Sequence, residues 1–210
     1  MAELARASGC SVATVKYYLR ERLISPGTEM AATQADYGEA HVERLRLIRV
    51  LREVGDVPIS RIGAVLAAID DTAQPMDRVL ASAHHALGPL RSDDSSEHQA
   101  ARRDVVDYIV GRGWNVDPAA PALDVLAGAV LALRRLGSSY GVESFEPFAD
   151  AAFEIARWEL ETIDPSRGPT DTVTQIVVGT VVFEHVLLAL RRLAEEHHSN
   201  QRFGGSAGGA

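Results

Sequence analysis

One cysteine and one lysine stand among 210 residues. The lone Cys10 excludes an internal disulfide framework and any thiolate-rich metal cluster, since both need several sulfurs. No apolar stretch resembles a membrane span or a secretory leader, because Glu184 and His185 break the longest one. The expected location is therefore the cytoplasm, with no membrane partner. The marks of catalysis are also missing: there is no nucleophile–base spacing, no phosphate-cradling Gly loop and no paired-carboxylate motif. Glu159, Glu161, Asp93 and Asp94 read as ordinary solvated acids. Neither an enzyme nor a cofactor is expected. An excess of positive charge is absent too, and the net charge of −8 ordinarily argues against a nucleic-acid partner. The charge is uneven, however. Residues 1–70 hold 9 basic and 9 acidic side chains, and residues 71–210 hold 12 and 20. The first third is neutral and the rest carries the whole excess.

The neutral third is dense in helix punctuation. Ala2 to Ala7 reads as a short helix stopped by Gly9. Ser11 is a good N-cap for a second helix from about Val12 to Arg22, with Val12, Val15 and Leu19 facing inward. Lys16, Tyr17 and Arg20 then face outward. Two short helices joined through Gly-x-Ser make a helix-turn-helix, whose second helix fits a DNA major groove. Leu23 to Tyr37 has few helical signals and is long enough for a small β-hairpin, a wing, with its tip around Thr28 to Thr33. Gly38 to Glu53 is amphipathic, with Val42, Leu45, Ile48 and Leu51 on one face. Its arginines, Arg44, Arg46, Arg49 and Arg52, read mainly as a solvated face. Gly55 stops it, and Ser60 caps a further helix carrying Ile62, Val65, Leu66 and Ile69.

The run Glu3-Leu4-Ala5, Gly9-x-Ser11-x-x-Thr14-Val15-Lys16-Tyr17-Tyr18, Leu23-Ile24, Tyr37, Leu45-x-x-Ile48-x-x-Leu51-Arg52-x-x-Gly55 and Ile59-x-x-Ile62 resembles the DNA-binding domain of MerR-type transcriptional regulators. The resemblance covers about residues 2–70. It implies a homodimer on an inverted repeat in promoter DNA, acting on RNA polymerase by bending and untwisting the promoter spacer. It also implies a separate C-terminal domain that senses a signal. By the same resemblance Lys16 takes the place of a basic recognition-helix residue, and Tyr17 and Tyr18 take that of an aromatic pair. Ser11, Thr14, Arg20, Arg22, Gln34, Tyr37, Arg44 and Arg61 complete the expected DNA-contact set. Tyr18 reads equally well as a core aromatic. Three departures stand out. Arg22 occupies a helix end where glycine is usual, at a cost of roughly 1 kcal/mol if the left-handed geometry is kept. Asp36 stands before Tyr37 where an arginine is usual. The helix expected to pair two copies is short.

That helix runs from Pro75 to Leu90, with a heptad pattern in Met76, Leu80, Ala83, Leu87 and Leu90. The expected division is a DNA-binding domain over 1–72, a linker or dimerisation helix over 73–92, a helical effector or dimerisation domain over 93–198, and a disordered tail over 199–210. Helices are expected at about Glu97–Val110, Pro121–Leu136, Phe145–Ile163 and Asp171–His197. The whole chain is expected to be mainly α. The stretch Val173 to Ala194 is apolar nearly all round, so burial on several sides is expected, in a bundle or at a dimer interface. Glu184 inside it suggests a pocket lined by Tyr140, Phe153, Trp158 and Phe183, with Glu184 as the polar anchor of a small-molecule effector. The neighbouring pairs His84–His85 and His197–His198 do not face one another on a helix and make no chelate alone. Two rival readings remain: an architectural DNA-binding protein of the excisionase kind, and a ligand- or protein-binding module whose DNA-binding part is degenerate.

Overall fold

The structure is a computed structural model that describes residues 1–31, 34–71, 73–88, 93–164, 166 and 168–204. The described chain is mostly helical and groups into two compact units, Met1–Gly63 with Val177–Ala210, and Ala64–Ile176.

In the first unit, α1 (Ala2–Ser8) ends at Gly9, whose φ of 69° is left-handed. The amide of Gly9 donates to the Arg6 carbonyl and that of Cys10 to the Ala5 carbonyl, which satisfies the last carbonyls of the helix. The chain then turns directly into α2 (Val12–Arg20), where the Ser11 hydroxyl accepts the Thr14 amide at 3.0 Å. The end of α2 repeats the α1 arrangement. Arg22 N–H bonds to Leu19, Leu23 N–H bonds to Tyr18, and Arg22 sits at φ 59°. Arginine thus holds a position whose backbone favours glycine. Val15 is fully buried, but Val12, the first residue of the helix, is 39% exposed. The expectation that Val12 faces inward is corrected.

Two short segments follow, β1 (Thr28–Ala31) and β2 (Gln34–Asp36). They pair antiparallel with Thr28 opposite Asp36, Glu29 opposite Ala35 and Ala31 opposite Gln34. The expected tip at Thr28 to Thr33 is displaced: Thr28 already pairs, and residues 32 and 33 lie outside the described residues. Next comes α3 (Glu39–Arg49), which buries Val42, Leu45, Leu47 and Ile48. It runs on into a wider π turn at Val50–Val54 and closes where Gly55 N–H bonds to the Val50 carbonyl. Gly55 is required by packing. A Cβ there would lie 2.3 Å from a Val181 methyl and 2.9 Å from the Leu51 carbonyl oxygen. The first unit therefore includes part of the last helix as a wall.

The helix α4 (Ile59–Asp70) begins at Ile59, so Ser60 lies inside it; the Pro58 carbonyl takes its first bonds. It contributes Ile62 to the first unit and Val65, Leu66 and Ile69 to the second, all buried. The second unit continues with α5 (Met76–Leu87), α6 (Ser96–Gly111), α7 (Pro121–Arg135), a 3₁₀ turn at Val142–Phe145 and α8 (Glu146–Glu161). Its core is the seam of α6 and α7: Ala101, Val105 and Ile109 against Leu123, Ala127 and Val130. Arg112 ties the end of α6 to α8. It pairs with Glu146 and Asp150 and lies over the rings of Tyr108 and Trp114. Those carboxylates hold the Arg112 guanidinium well above its ordinary range.

The last helix, α9 (Pro169–Phe203), is 35 residues long and crosses from one unit to the other. Thr172, Val173, Val177 and Val181 are buried; every side chain from Phe183 to Phe203 is exposed. Within the single chain, burial is thus confined to one short stretch, against the expected packing on several sides in its own bundle. The helix also continues past His197, since no glycine or proline intervenes before Gly204, so the expected tail loses 199–203. Residues 170–203 are long and apolar enough to cross a membrane by length and composition, against the sequence expectation. One glutamate and one histidine do not lower the apolarity of so long a segment enough.

Candidate nucleic-acid interface

α2 leaves one face polar and open. Val15 and Tyr18 turn inward and fix the rotation of the helix. Lys16 and Arg20 are left exposed, and Tyr17 is half-buried between them. The Arg20 guanidinium lies 5.2 Å from the Tyr17 ring centroid, a cation–π contact that steadies both side chains. At the start of the helix the Ser11 and Thr14 hydroxyls lie 2.7 Å apart. No acidic residue stands in the first turn. Open backbone N–H groups and the positive end of the helix dipole make that terminus receptive to a phosphate.

Tyr18 does not join this surface. Its ring is 6% exposed, and burial, with Cys10 and Glu53 nearby, pushes its hydroxyl above the ordinary tyrosine range. It is a core aromatic, which corrects its place in the contact set. Arg22 is exposed just past the helix end. Tyr37 is half-buried and meets His41 edge to face at 5.2 Å. The Asp36 carboxylate turns back and accepts the Tyr37 amide at 2.9 Å. Gly27 makes this corner possible, because a Cβ there would lie 2.4 Å from the Asp36 carbonyl oxygen. Arg44 and Arg61 are half-buried. The side chain of Gln34 lies outside the described residues.

Two arginines have a role that the sequence did not reveal. Arg46 donates to the Ala7 carbonyl at 3.3 Å and Arg49 to the Ser8 carbonyl at 3.2 Å. They fasten the end of α1, and so the turn into α2, onto α3. A cation at a helix C-terminus is favourable on its own account. Glu53 accepts two bonds from Arg49, which holds the Glu53 carboxyl below its ordinary range and the guanidinium above its own.

The expected effector residues fall in both units. Tyr140, Phe153 and Trp158 belong to the second unit and are 64%, 50% and 54% exposed. Phe153 stacks on Trp114 at 6.0 Å. Phe183 and Glu184 belong to the first unit, and Glu184 is exposed, so the premise of a buried carboxylate is corrected. Within the second unit an open cavity of about 620 Å³ lies along α6 and α7, lined in part by His98, Asp124, Val125, Leu131, Arg135 and Leu136. None of the five expected residues lines it. The His98 ring nitrogen and the Arg102 guanidinium both reach Asp124, at 3.3 and 2.8 Å.

Comparison with known proteins places the geometry. Residues 1–69 match the model of the MerR HTH family regulatory proteins. The chain is 34% identical over 98 residues to the HTH-type transcriptional regulator ZntR homolog of Haemophilus influenzae, over 42% of this chain and 72% of the relative. It is 26% identical over 147 residues to the HTH-type transcriptional regulator HmrR of Sinorhizobium medicae, over 69% of this chain and 97% of the relative. A crystal structure described as a transcriptional regulator, SCO5550 of Streptomyces coelicolor A3(2), is 36% identical and superposes with a TM-score of 0.75 over 97% of each chain.

Proposed function

The chain belongs to the MerR family of helix-turn-helix regulators, and on that premise we propose that it is a sequence-specific homodimeric transcriptional regulator. Each protomer sets α2 into the major groove of one half of an inverted-repeat promoter site. The observation that carries this reading is the outer face of α2, where Lys16, Tyr17 and Arg20 stand together behind a capped, acid-free helix start. Lys16 and Arg20 supply cations for phosphate or a guanine edge, and Tyr17 supplies a hydroxyl. The hairpin of β1 and β2 serves as the wing, with Tyr37 at its base. Because Asp36 is turned onto its own backbone, its charge is partly satisfied before DNA arrives. The regulator acts in the cytoplasm and on RNA polymerase at the promoter, without catalysis of its own. The helices after residue 72 serve dimerisation and the sensing of a small molecule.

Equilibrium binding tests the assignment directly. On a duplex selected by the wild-type protein, Lys16→Ala is expected to weaken binding about tenfold and to lower the salt slope by about 1. Unchanged affinity and slope would remove α2 as the reading element.

A further inference from the structure

The cavity along α6 and α7 lies wholly within the second unit. Its apolar wall is a face of α7 that carries Val125, Gly128, Leu131 and Leu136, and its polar groups include Asp93, His98 and Asp124. Gly128 leaves part of the space, since a Cβ there would meet no atom within 4 Å. His98 is only 6% exposed. Its Nε2 lies 3.3 Å from Asp124 Oδ1, which also accepts the Arg102 guanidinium at 2.8 Å. A carboxylate at that distance places the His98 proton on Nε2 and leaves Nδ1 as an acceptor. Neither His98 Nδ1 nor Asp124 Oδ2 has a hydrogen bond among the described residues. The Asp93 carboxylate accepts the Ser95 amide at 2.9 Å, and the bonds from Ser95 hold its carboxyl below the ordinary range. Both guanidiniums at the site are engaged, Arg102 by Asp124 and Arg135 by Glu97 at 3.1 Å. Three carboxylates, Asp93, Glu97 and Asp124, thus stand against two guanidiniums and leave one negative charge without a partner.

We propose that this cavity receives a small molecule that joins an apolar body to a primary ammonium group. The proposal deepens the sensing role given above to the helices after residue 72 and rests on it. An ammonium group brings three N–H donors and one positive charge. The cavity offers the complement: open acceptors on His98, Asp93 and Asp124, and one negative charge to balance. The apolar body covers Val125, Leu131 and Leu136 and fills the space over Gly128. A volume of about 620 Å³ lies within the usual range of small-molecule sites. Other charge types fit less well. A carboxylic acid would bring like charge to Asp93 and Asp124. A quaternary ammonium carries the positive charge but no N–H, so the acceptors would lose water and gain nothing. Because His98 stands on α6 and Asp124 on α7, an occupant bonded to both bears on the α6–α7 seam that forms the core of this unit.

Isothermal titration calorimetry of the full chain with 4-phenylbutylamine tests this, and saturable binding is the expected result. The matched carboxylate, 4-phenylbutanoate, and the matched trimethylammonium compound are each expected to bind at least about tenfold more weakly. Asp93→Asn, at an exposed position, is expected to weaken the amine about tenfold. Gly128→Leu fills the cavity and is expected to abolish binding. The same change should hold or raise the thermal midpoint, because leucine is the better helix former and its Cβ has room. Absence of saturable amine binding, equal binding of the carboxylate or the trimethylammonium compound, or amine binding undisturbed in the two variants would each overturn the proposal. A chain that ignores the amine yet selects an inverted repeat loses this site and keeps the regulatory reading. Amine binding that Gly128→Leu abolishes, but that leaves affinity for the selected duplex unchanged, keeps the site and removes the sensing role.

Discussion

Arg22 shows how a single residue links fold and function. It closes α2 with the same pair of hydrogen bonds that Gly9 gives α1, but at a left-handed φ that costs a side chain roughly 1 kcal/mol. Arg22→Gly is therefore expected to raise stability by about that amount in denaturant melts. If the retained arginine serves a phosphate, the same variant binds DNA more weakly. Gain in both would leave Arg22 without a role at the interface. Glu53 offers a second residue-scale prediction. Its carboxyl is depressed in the folded chain by the Arg49 bonds. Its stabilising effect is complete above the ordinary value of 4.5 and fades as pH falls through the lower folded value. Glu53→Gln should flatten that acid limb, and an unchanged pH profile would show that the Arg49–Glu53 pair does not contribute to stability. Gly9 and Ser11 were legible in the sequence because each signal is local, within one turn of its helix, whereas the strain at Arg22 was expected only through the family resemblance. The partners of Arg46 and Arg49 lie 39 and 41 residues away, and nothing in a periodic pattern names them.

At the scale of elements, helices with a bounded apolar face were legible and their terminal residues less so. The core line Val42, Leu45, Ile48 and Leu51 is buried as its spacing requires. The π turn at its end was not legible, and neither was the close approach of Val181 to Gly55, which spans more than half the chain. Gly55→Ala is accordingly expected to destabilise the first unit by about 1–3 kcal/mol, the usual range for overpacking. A thermal melt reads this, and an unshifted midpoint would mean that Val181 yields freely. The covering of α9 was less legible for a related reason. Apolarity reveals which side chains avoid water but not whether the chain itself or another copy covers them. Glu184 itself stands on an exposed turn, which periodicity alone does not reveal.

For the whole molecule, charge and architecture agree. The part that carries the helix-turn-helix is electrically neutral and the remainder is acidic, so affinity for arbitrary DNA should be low and recognition should depend on α2. Family membership follows from the ordered series of motifs in the first third. The operator does not, because base preference depends on a few side chains in a groove, and the part after residue 72 carries no motif that names a ligand. The central claim is that two copies read DNA through paired α2 helices. Selection of bound duplexes from a random pool by the full-length protein at near-physiological salt tests it most directly. Recovery of an inverted repeat is the predicted result. Enrichment of no sequence, or only of AT-rich flexible DNA, would contradict it.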